Sequence, residues 1–212
     1  MTQEQSNLVL PLLQSAEMRR SVYALDKNLP LSRRETEDLA GHVLRHTPSA
    51  FNSQSARIVL LFGEEHEALW DIVRDTVRPL TREERWPETS RKIGGFRAAA
   101  GTALFFEDMA TVRSLQERFP LYKDNFAVWS EHGSAMNQYR LWQLLAAAGA
   151  GANLQHYNPL IDDAVKARWH IPGDYRLRAQ MVFGGIAQPA GAKEYLPAEE
   201  RLMVFGDMGQ PA

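Results

Sequence analysis

Ala146-Ala-Ala-Gly149-Ala-Gly151-Ala-Asn153-Leu-Gln-His156-Tyr157 decides between two fold classes. A dinucleotide-binding fold would read such a run as a strand, three spaced glycines and the opening of a helix. The order here is different. From Phe126 to Ala150, Trp129, Met136, Tyr139, Leu141, Trp142, Leu144 and Leu145 predict a long helix before the run, and Ala152–His156 predicts a short strand after it. Gly149 and Gly151 do not complete the fingerprint, so a Rossmann fold is rejected. The small residues permit close backbone approach, to another helix or to a flat ligand. The last helical turns are apolar almost all round, which predicts burial on every side, with Met136 and the tryptophans in the core.

Working outward, Ile58-Val-Leu-Leu-Phe62, ended by Gly63, predicts a central strand. Gly101–Phe106 predicts a second buried strand, Leu177–Phe183 a third closed by Gly184-Gly185, and Arg201–Phe205 a final one before Gly206. A first helix carries Leu10, Leu12 and Leu13 and runs toward Arg19. Ser32 and Glu35 form a capping box for a helix striped by Leu39, Val43 and Leu44, stopping before Thr47-Pro48. Leu69, Trp70, Ile72, Val73 and Val77 stripe the next, and Thr81–Glu84 opens another, with Pro87 in its first turns. Asn158-Pro159 reads as cap and first-turn proline of a helix reaching about Trp169. The mixture, richer in helix, predicts an α+β sandwich in one domain spanning residues 1–212, a central sheet with helices on both faces. The long apolar helix and the detached last strand are wasteful in a monomer and suit a dimer whose tail crosses to the other subunit.

Composition removes whole classes of chemistry. With no cysteine, there is no disulfide scaffold, thiolate zinc site, iron–sulfur cluster or thiol nucleophile, so redox work would need a bound cofactor. A net charge of −2, with both signs mixed along the chain, argues against nucleic acid or anionic membrane as partner. The polar N-terminus lacks a signal pattern and no stretch is apolar enough to span a bilayer, so a soluble cytoplasmic protein is expected.

Three stretches carry candidate chemistry. Arg19-Arg20-Ser21 offers two guanidiniums and a hydroxyl to a phosphate, or simply a basic helix end complementing the dipole. Asn52 and Gln54, before the first strand, can present paired donors and acceptors to a planar heterocycle, or are ordinary loop amides. Asn153–Tyr157 follows the small-residue run. His42 and His46 share a helix face but lack the acidic partner of a zincin-type site. His66, His132 and His170 read as surface or edge residues, and Trp129 as the aromatic most able to border a cleft.

In order and spacing these stretches resemble the nitroreductase family, and its subgroup related to the yeast fatty-acid-repression-mutant proteins. The matching segments are Arg19–Leu25, Thr47–Gln54, Phe119–Phe126, Asn153–Leu160 and Phe183-Gly184. The resemblance implies a homodimer with an α/β/α sandwich, a mostly antiparallel sheet, a C-terminal strand exchanged between subunits, and one FMN in each interface cleft. It implies that Arg19, Arg20 and Ser21 hold phosphate and ribityl oxygens, and that Asn52 and Gln54 reach in from the other subunit. Backbone around Leu154, Gln155 and His156 would pass the ring edge, Lys193 or Arg201 would add a phosphate contact, and Phe126 and Trp129 would meet the substrate. NADH or NADPH would donate electrons to a small-molecule acceptor, a nitroaromatic or quinone; a flavin-dependent regulator with little turnover is the alternative. Many members carry Arg or Lys two residues after the motif serine, near the ring; Tyr23 stands there and cannot neutralise an anionic reduced ring as a cation does.

Overall fold

A computed structural model describes residues 3–206. Its centre is β3 (Gly101–Asp108), buried at every position but the last. On one side β3 pairs with β2 (Ala56–Phe62), on the other with β5 (Tyr175–Ile186). The far edge of β5 takes β4 (Gly151–Gln155) along Gln180–Gly184 and then the two-residue β1 (Leu25–Asp26) at Gly185 and Ile186. Every ladder is antiparallel. A Cβ on Gly184 or Gly185 would collide with Asp26, so the glycine pair is what lets β1 cross so closely.

Alternation along β3 sends Leu104 and Phe106 to one face and Ala103 and Phe105 to the other, and helices cover both. On the first face α3 (Gly63–Val77), α4 (Trp86–Arg97) and α7 (Asp162–Trp169) contribute Leu69, Trp70, Ile93, Phe96 and Val165. On the second, α2 (Arg33–His46) and α6 (Lys123–Ala147) contribute Val43, Leu141 and Leu145. Removing one such fully buried Leu costs about 2–5 kcal/mol, so each helix is fixed by a few side chains. α1 (Gln3–Met18) lies along α6, and α5 (Met109–Arg118) packs on the start of α6. This is the expected α+β sandwich. Both halves of the Ser32–Glu35 capping box are formed.

Several local expectations are corrected. β2 is an edge strand of the described chain, because helices on both faces make a strand apolar throughout whether or not both edges are paired. Thr81 closes a 3-10 turn (Arg78–Leu80), and α4 starts five residues later at Trp86, with Pro87 in its first turn. Asn158-Pro159 is a cis turn, and α7 begins at Asp162. α5 was not anticipated; Asp108 caps it by accepting from the amides of Ala110 and Thr111. The long helix starts earlier, at Lys123, and one face stays open: Val128, Met136 and Tyr139 are exposed, so Met136 is not core. Residues 201–205 form no strand within the chain, and Phe205 is 89% exposed. A strand needs a partner edge, and among the described residues this segment pairs with none.

His66 is also corrected: it is 1% exposed, not a surface residue. Its Nδ1 lies 2.9 Å from Thr102 Oγ1, which also accepts from Trp70 Nε1 at 3.0 Å. Thr102 Oγ1 thus serves both rings, accepting from Trp70, which can only donate, and bonding His66 Nδ1. Burial outweighs the charge-favouring backbone of Arg97 and Phe96 and pulls this imidazole down to about 4. His132 and His170 are exposed, as expected.

Candidate functional site

α1 ends at Met18, and the chain leaves it running beside β4. The Val22 amide donates to Ala152 O at 2.9 Å, and the fully buried Asn153 returns a bond from Nδ2 to Val22 O at 2.8 Å. Gln155 Nε2 steadies Asn153 Oδ1 at 2.8 Å. With Val22 pinned inward, Ser21 and Tyr23 are turned out. Arg20 Nη2 donates to Gly191 O at 2.7 Å, tying the tail to this stretch, while the Arg19 guanidinium lies 4.5 Å from the centre of the Trp142 ring. Among the described residues neither arginine has a carboxylate partner. Arg20, Ser21, Tyr23, Pro189 and Gly191 line an open recess of about 440 Å³. A guanidinium with no carboxylate partner among the described residues and an exposed hydroxyl give it a composition that suits an anion.

The remaining basic candidates lie along the tail. Lys193, two residues beyond the Gly191 anchor, has its Nζ 4.8 Å from the Tyr195 ring centre, and Arg201 is the exposed C-cap of a 3-10 turn (Ala198–Glu200). In β4, Leu154 is half-buried against the α2–α6 side and Gln155 is buried; His156, just past its end, is exposed.

The amide loop forms a separate group. Within one chain no contact joins Asn52 or Gln54 to the basic recess among the described residues. Phe51, Asn52 and Gln54 have φ of 55°, 50° and 50°, three left-handed non-glycine residues in four positions. Each costs about 1 kcal/mol or more unless its surroundings hold it. The surroundings do. Gln54 N donates to Ser49 Oγ at 3.0 Å, and Arg57 Nη1 donates to Gln54 O at 2.7 Å, so the backbone is clamped at both ends while the side chain stays free. Arg57 is itself fixed by Asp108 at 2.9 Å and by Tyr175 OH at 3.0 Å. Phe51 seats the loop on an aromatic cluster, with ring centres 4.8–6.0 Å from Phe119, Tyr122, Phe126 and Trp129. Phe126 is buried beside Val112 and Leu115, so it backs the cluster; Trp129 is half-buried and borders a cavity.

That cavity, about 250 Å³ between the amide loop, the end of β3 and α6, contains a group the sequence reading missed. Glu107 is 1% exposed, accepts from Ser55 Oγ at 2.5 Å through Oε2, and has no partner for Oε1. Burial pushes its carboxyl up to about 7; Ser55 and the guanidiniums of Arg178 and Arg57 oppose this, and Glu131 adds to it. The signal was present: an acid ends the apolar run Gly101–Phe106 where alternation points inward.

His42 and His46 lie with ring centres 4.5 Å apart, tilted to one another, on the exposed side of α2, and no cluster of three metal-ligating residues occurs among the described residues. No helix among them is long and apolar enough to cross a membrane.

A sheet sandwiched by helices, with a cationic recess and a separate strained amide loop, is the arrangement against which relatives can be compared. The profile of the Nitroreductase family matches residues 16–185. HBN1 of Saccharomyces cerevisiae is 34% identical over 190 residues, covering 89% of this chain and 94% of that protein. The nitroreductase CinD from Lactococcus lactis, solved in complex with chloramphenicol and with 4-nitrophenol, is 43% identical over 92% of this chain and 99% of its own, with TM-scores of 0.84 and 0.83. A Desulfovibrio desulfuricans protein solved in complex with FMN shares the fold at TM-score 0.65 and 19% identity, covering 91% of this chain and 96% of that one. The protein is an oxidoreductase by class. More particularly, the chain belongs to the nitroreductase family.

Proposed function

We propose that this protein is an FMN-dependent NAD(P)H oxidoreductase that reduces nitroaromatic or quinone-type acceptors, working as a cytoplasmic homodimer with the whole chain as one flavin-binding domain. The observation that carries this reading is the separation of the two polar groups: a cationic recess at Arg20 and Ser21, and an amide loop at Asn52 and Gln54 that does not meet it within one chain. Each is half of a cradle, and a second copy supplies the other half. The open face of α6 and the unpaired apolar tail give that second copy surfaces to cover, with the tail exchanged between subunits.

The donor set fits a flavin nucleotide. Arg19, Arg20 and Ser21 suit phosphate and ribityl oxygens, and Lys193, two residues past the Gly191 anchor, is better placed than Arg201 to add a phosphate contact. Asn52 and Gln54, backbone-clamped with free side chains, suit a heterocycle's edge, and Leu154, Gln155 and His156 would run past it from the sheet side. Trp129, backed by Phe126, would give the acceptor an apolar wall. When bound, FMN would supply the redox chemistry, a two-electron ping-pong exchange between reduced nicotinamide and the acceptor. The chain's own part is to bind, orient and exclude water, and no dedicated acid–base side chain is needed.

A second reading, a flavin-dependent regulator with little turnover, is favoured by one observation. Tyr23 lines the recess where a cation would steady a reduced ring, and it is 57% exposed beside Phe96. Anaerobic titration with NADH and with NADPH, followed by turnover with 4-nitroquinoline N-oxide or menadione, separates the two. Bleaching of flavin absorbance with brisk turnover supports the enzyme; bleaching with negligible turnover supports the regulator. Protein that neither binds added FMN nor gains thermal stability from it overturns both. Arg20→Ala is expected to weaken FMN binding about tenfold or more, the size of one charge-assisted hydrogen bond.

A further inference from the structure

We propose that Glu107 is a positioning residue for the amide loop: its neutral carboxyl, bonded to Ser55, holds Asn52 and Gln54 in their left-handed presentation, and its ionisation loosens them. The inference rests on the flavin reading only for what the loop grips.

The argument starts at the register. Ala56 pairs with Glu107, and the Asp108 amide donates to Ser55 O at 2.9 Å, so Ser55 is the last residue held to the sheet before the strained segment. Its side chain is buried, and its hydroxyl lies 2.5 Å from Glu107 Oε2. One residue further on, the Gln54 carbonyl is held by Arg57, which Asp108 holds in turn. Two consecutive acids of β3 thus anchor the loop's exit, one through Ser55 and one through Arg57.

The two anchors differ in how they bear charge. Asp108 faces Arg57 and caps α5, so its carboxylate is compensated. Glu107 has no such partner. The charged groups around it are Arg57 from β2, Arg178 from β5, Glu131 from α6 and Asp108 beside it on β3. Arg57 is engaged by Asp108, and Arg178 by Glu131 at 2.7 Å. Neither guanidinium is spare. An ionised Glu107 would keep one bond, to Ser55, and leave Oε1 charged and unpartnered. Relief comes from water in the adjacent cavity, which Ser55, Gln54 and Trp129 also line, and a carboxylate that turns toward that water pulls on Ser55 and so on the loop.

The test uses full-length protein, wild type and Glu107→Gln, which keeps the shape and the bond to Ser55 but cannot ionise. In the flavin-free protein, backbone amide resonances of Asn52, Gln54 and Ser55 followed by NMR from pH 5 to 9 are expected to shift together with one midpoint near 7 in wild type, and to stay flat in the variant. FMN affinity is expected to fall about tenfold across the same range in wild type and less than twofold in the variant. The carboxyl carbon resonance of Glu107 in wild type reports its ionisation directly, so the test survives a variant that folds poorly. Loop resonances that ignore that ionisation, or that keep their midpoint in Glu107→Gln, overturn the proposal. Loop titration as described without FMN binding at any pH upholds the proposal and sinks the flavin reading instead.

Discussion

Among the described residues His66 and Glu107 are the two buried groups pushed furthest from their ordinary pKa, and they lie on opposite sides of β3. His66 is held through Thr102, on the face covered by α3 and α4; Glu107 faces α6. Each leaves one polar atom without a well-formed bond, Nε2 and Oε1 respectively. The surroundings separate them. His66 lies on the helix that carries Leu69 and Trp70 into the core, and it shares its hydroxyl partner with Trp70. Glu107 borders a cavity and a loop already bent into a costly conformation. A strained polar group in closed packing lowers stability and does little else, whereas the same group beside a movable segment is coupled to that segment.

The largest expected effect breaks the closed site. Thr102→Val removes one hydroxyl and strands both His66 Nδ1 and Trp70 Nε1, which should cost about 2–6 kcal/mol, since each unsatisfied buried group costs about 1–3 kcal/mol. Urea unfolding at pH 7.5 (about that value, chosen to keep His66 neutral) measures it. The comparison sharpens if FMN affinity per folded molecule is unchanged. A matching loss of affinity would mean that the His66 side is not closed at all.

The pH profile comes next in size, and the two groups act with opposite signs. His66 is lowered to about 4 from an ordinary 6.5, so as pH falls below 6.5 the unfolded chain takes up a proton that the native state refuses, and stability declines until about pH 4. Glu107 is raised to about 7 from an ordinary 4.5, so as pH rises above 4.5 the unfolded chain releases a proton that the native state keeps, and stability declines until about pH 7. Each limb is worth on the order of 3 kcal/mol, at about 1.4 kcal/mol per pH unit. Between 4.5 and 6.5 the slopes largely cancel. Glu107→Gln should unmask the histidine limb: its stability relative to wild type should climb through this window and level off above about pH 7, where the variant is the more stable protein. A difference that stays constant with pH would remove Glu107 from the set of buried titrating groups.

The sequence displayed the sandwich well, because continuous apolar runs such as Gly101–Phe106 and the striped helices report burial directly. It displayed the polar motifs as well, since Arg19–Ser21 and Asn52–Gln54 are contiguous. What it hid were facts that depend on a second segment. His66 sits among Glu64, Glu65 and Glu67, so its own helix looks solvent-facing; Thr102, thirty-six residues away, makes it core. Asn158-Pro159 has the letters of a helix start, but the backbone turns there instead. Glu107 ends an apolar run at an inward position, but beside Asp108 it also reads as the polar end of a strand, and α6 closing over it decides for burial. Arg201–Phe205 has the pattern of a strand, and the pattern alone cannot show that these residues join no ladder of the described chain.

The smallest effect concerns the joint between Glu107 and the loop. Ser55→Ala deletes the one hydrogen bond that links them, at a cost of about 1 kcal/mol when the carboxyl is neutral, the net value of an ordinary buried hydrogen bond. Above pH 7 the same substitution removes the sole donor to a charged oxygen, so the cost should roughly double, as bonds to ionised groups do. Ser55→Ala should also raise the pKa of Glu107, because the serine bond is the leading influence that lowers it. Unfolding curves at pH 5.5 and 8 (about one and a half units below and one above the midpoint) measure both costs. Equal costs at the two values would show that the serine does not sense the charge, leaving Glu107 beside the loop but not in command of it. A cost that grows with pH ties them, and does so with a variant that leaves both Asn52 and Gln54 in place.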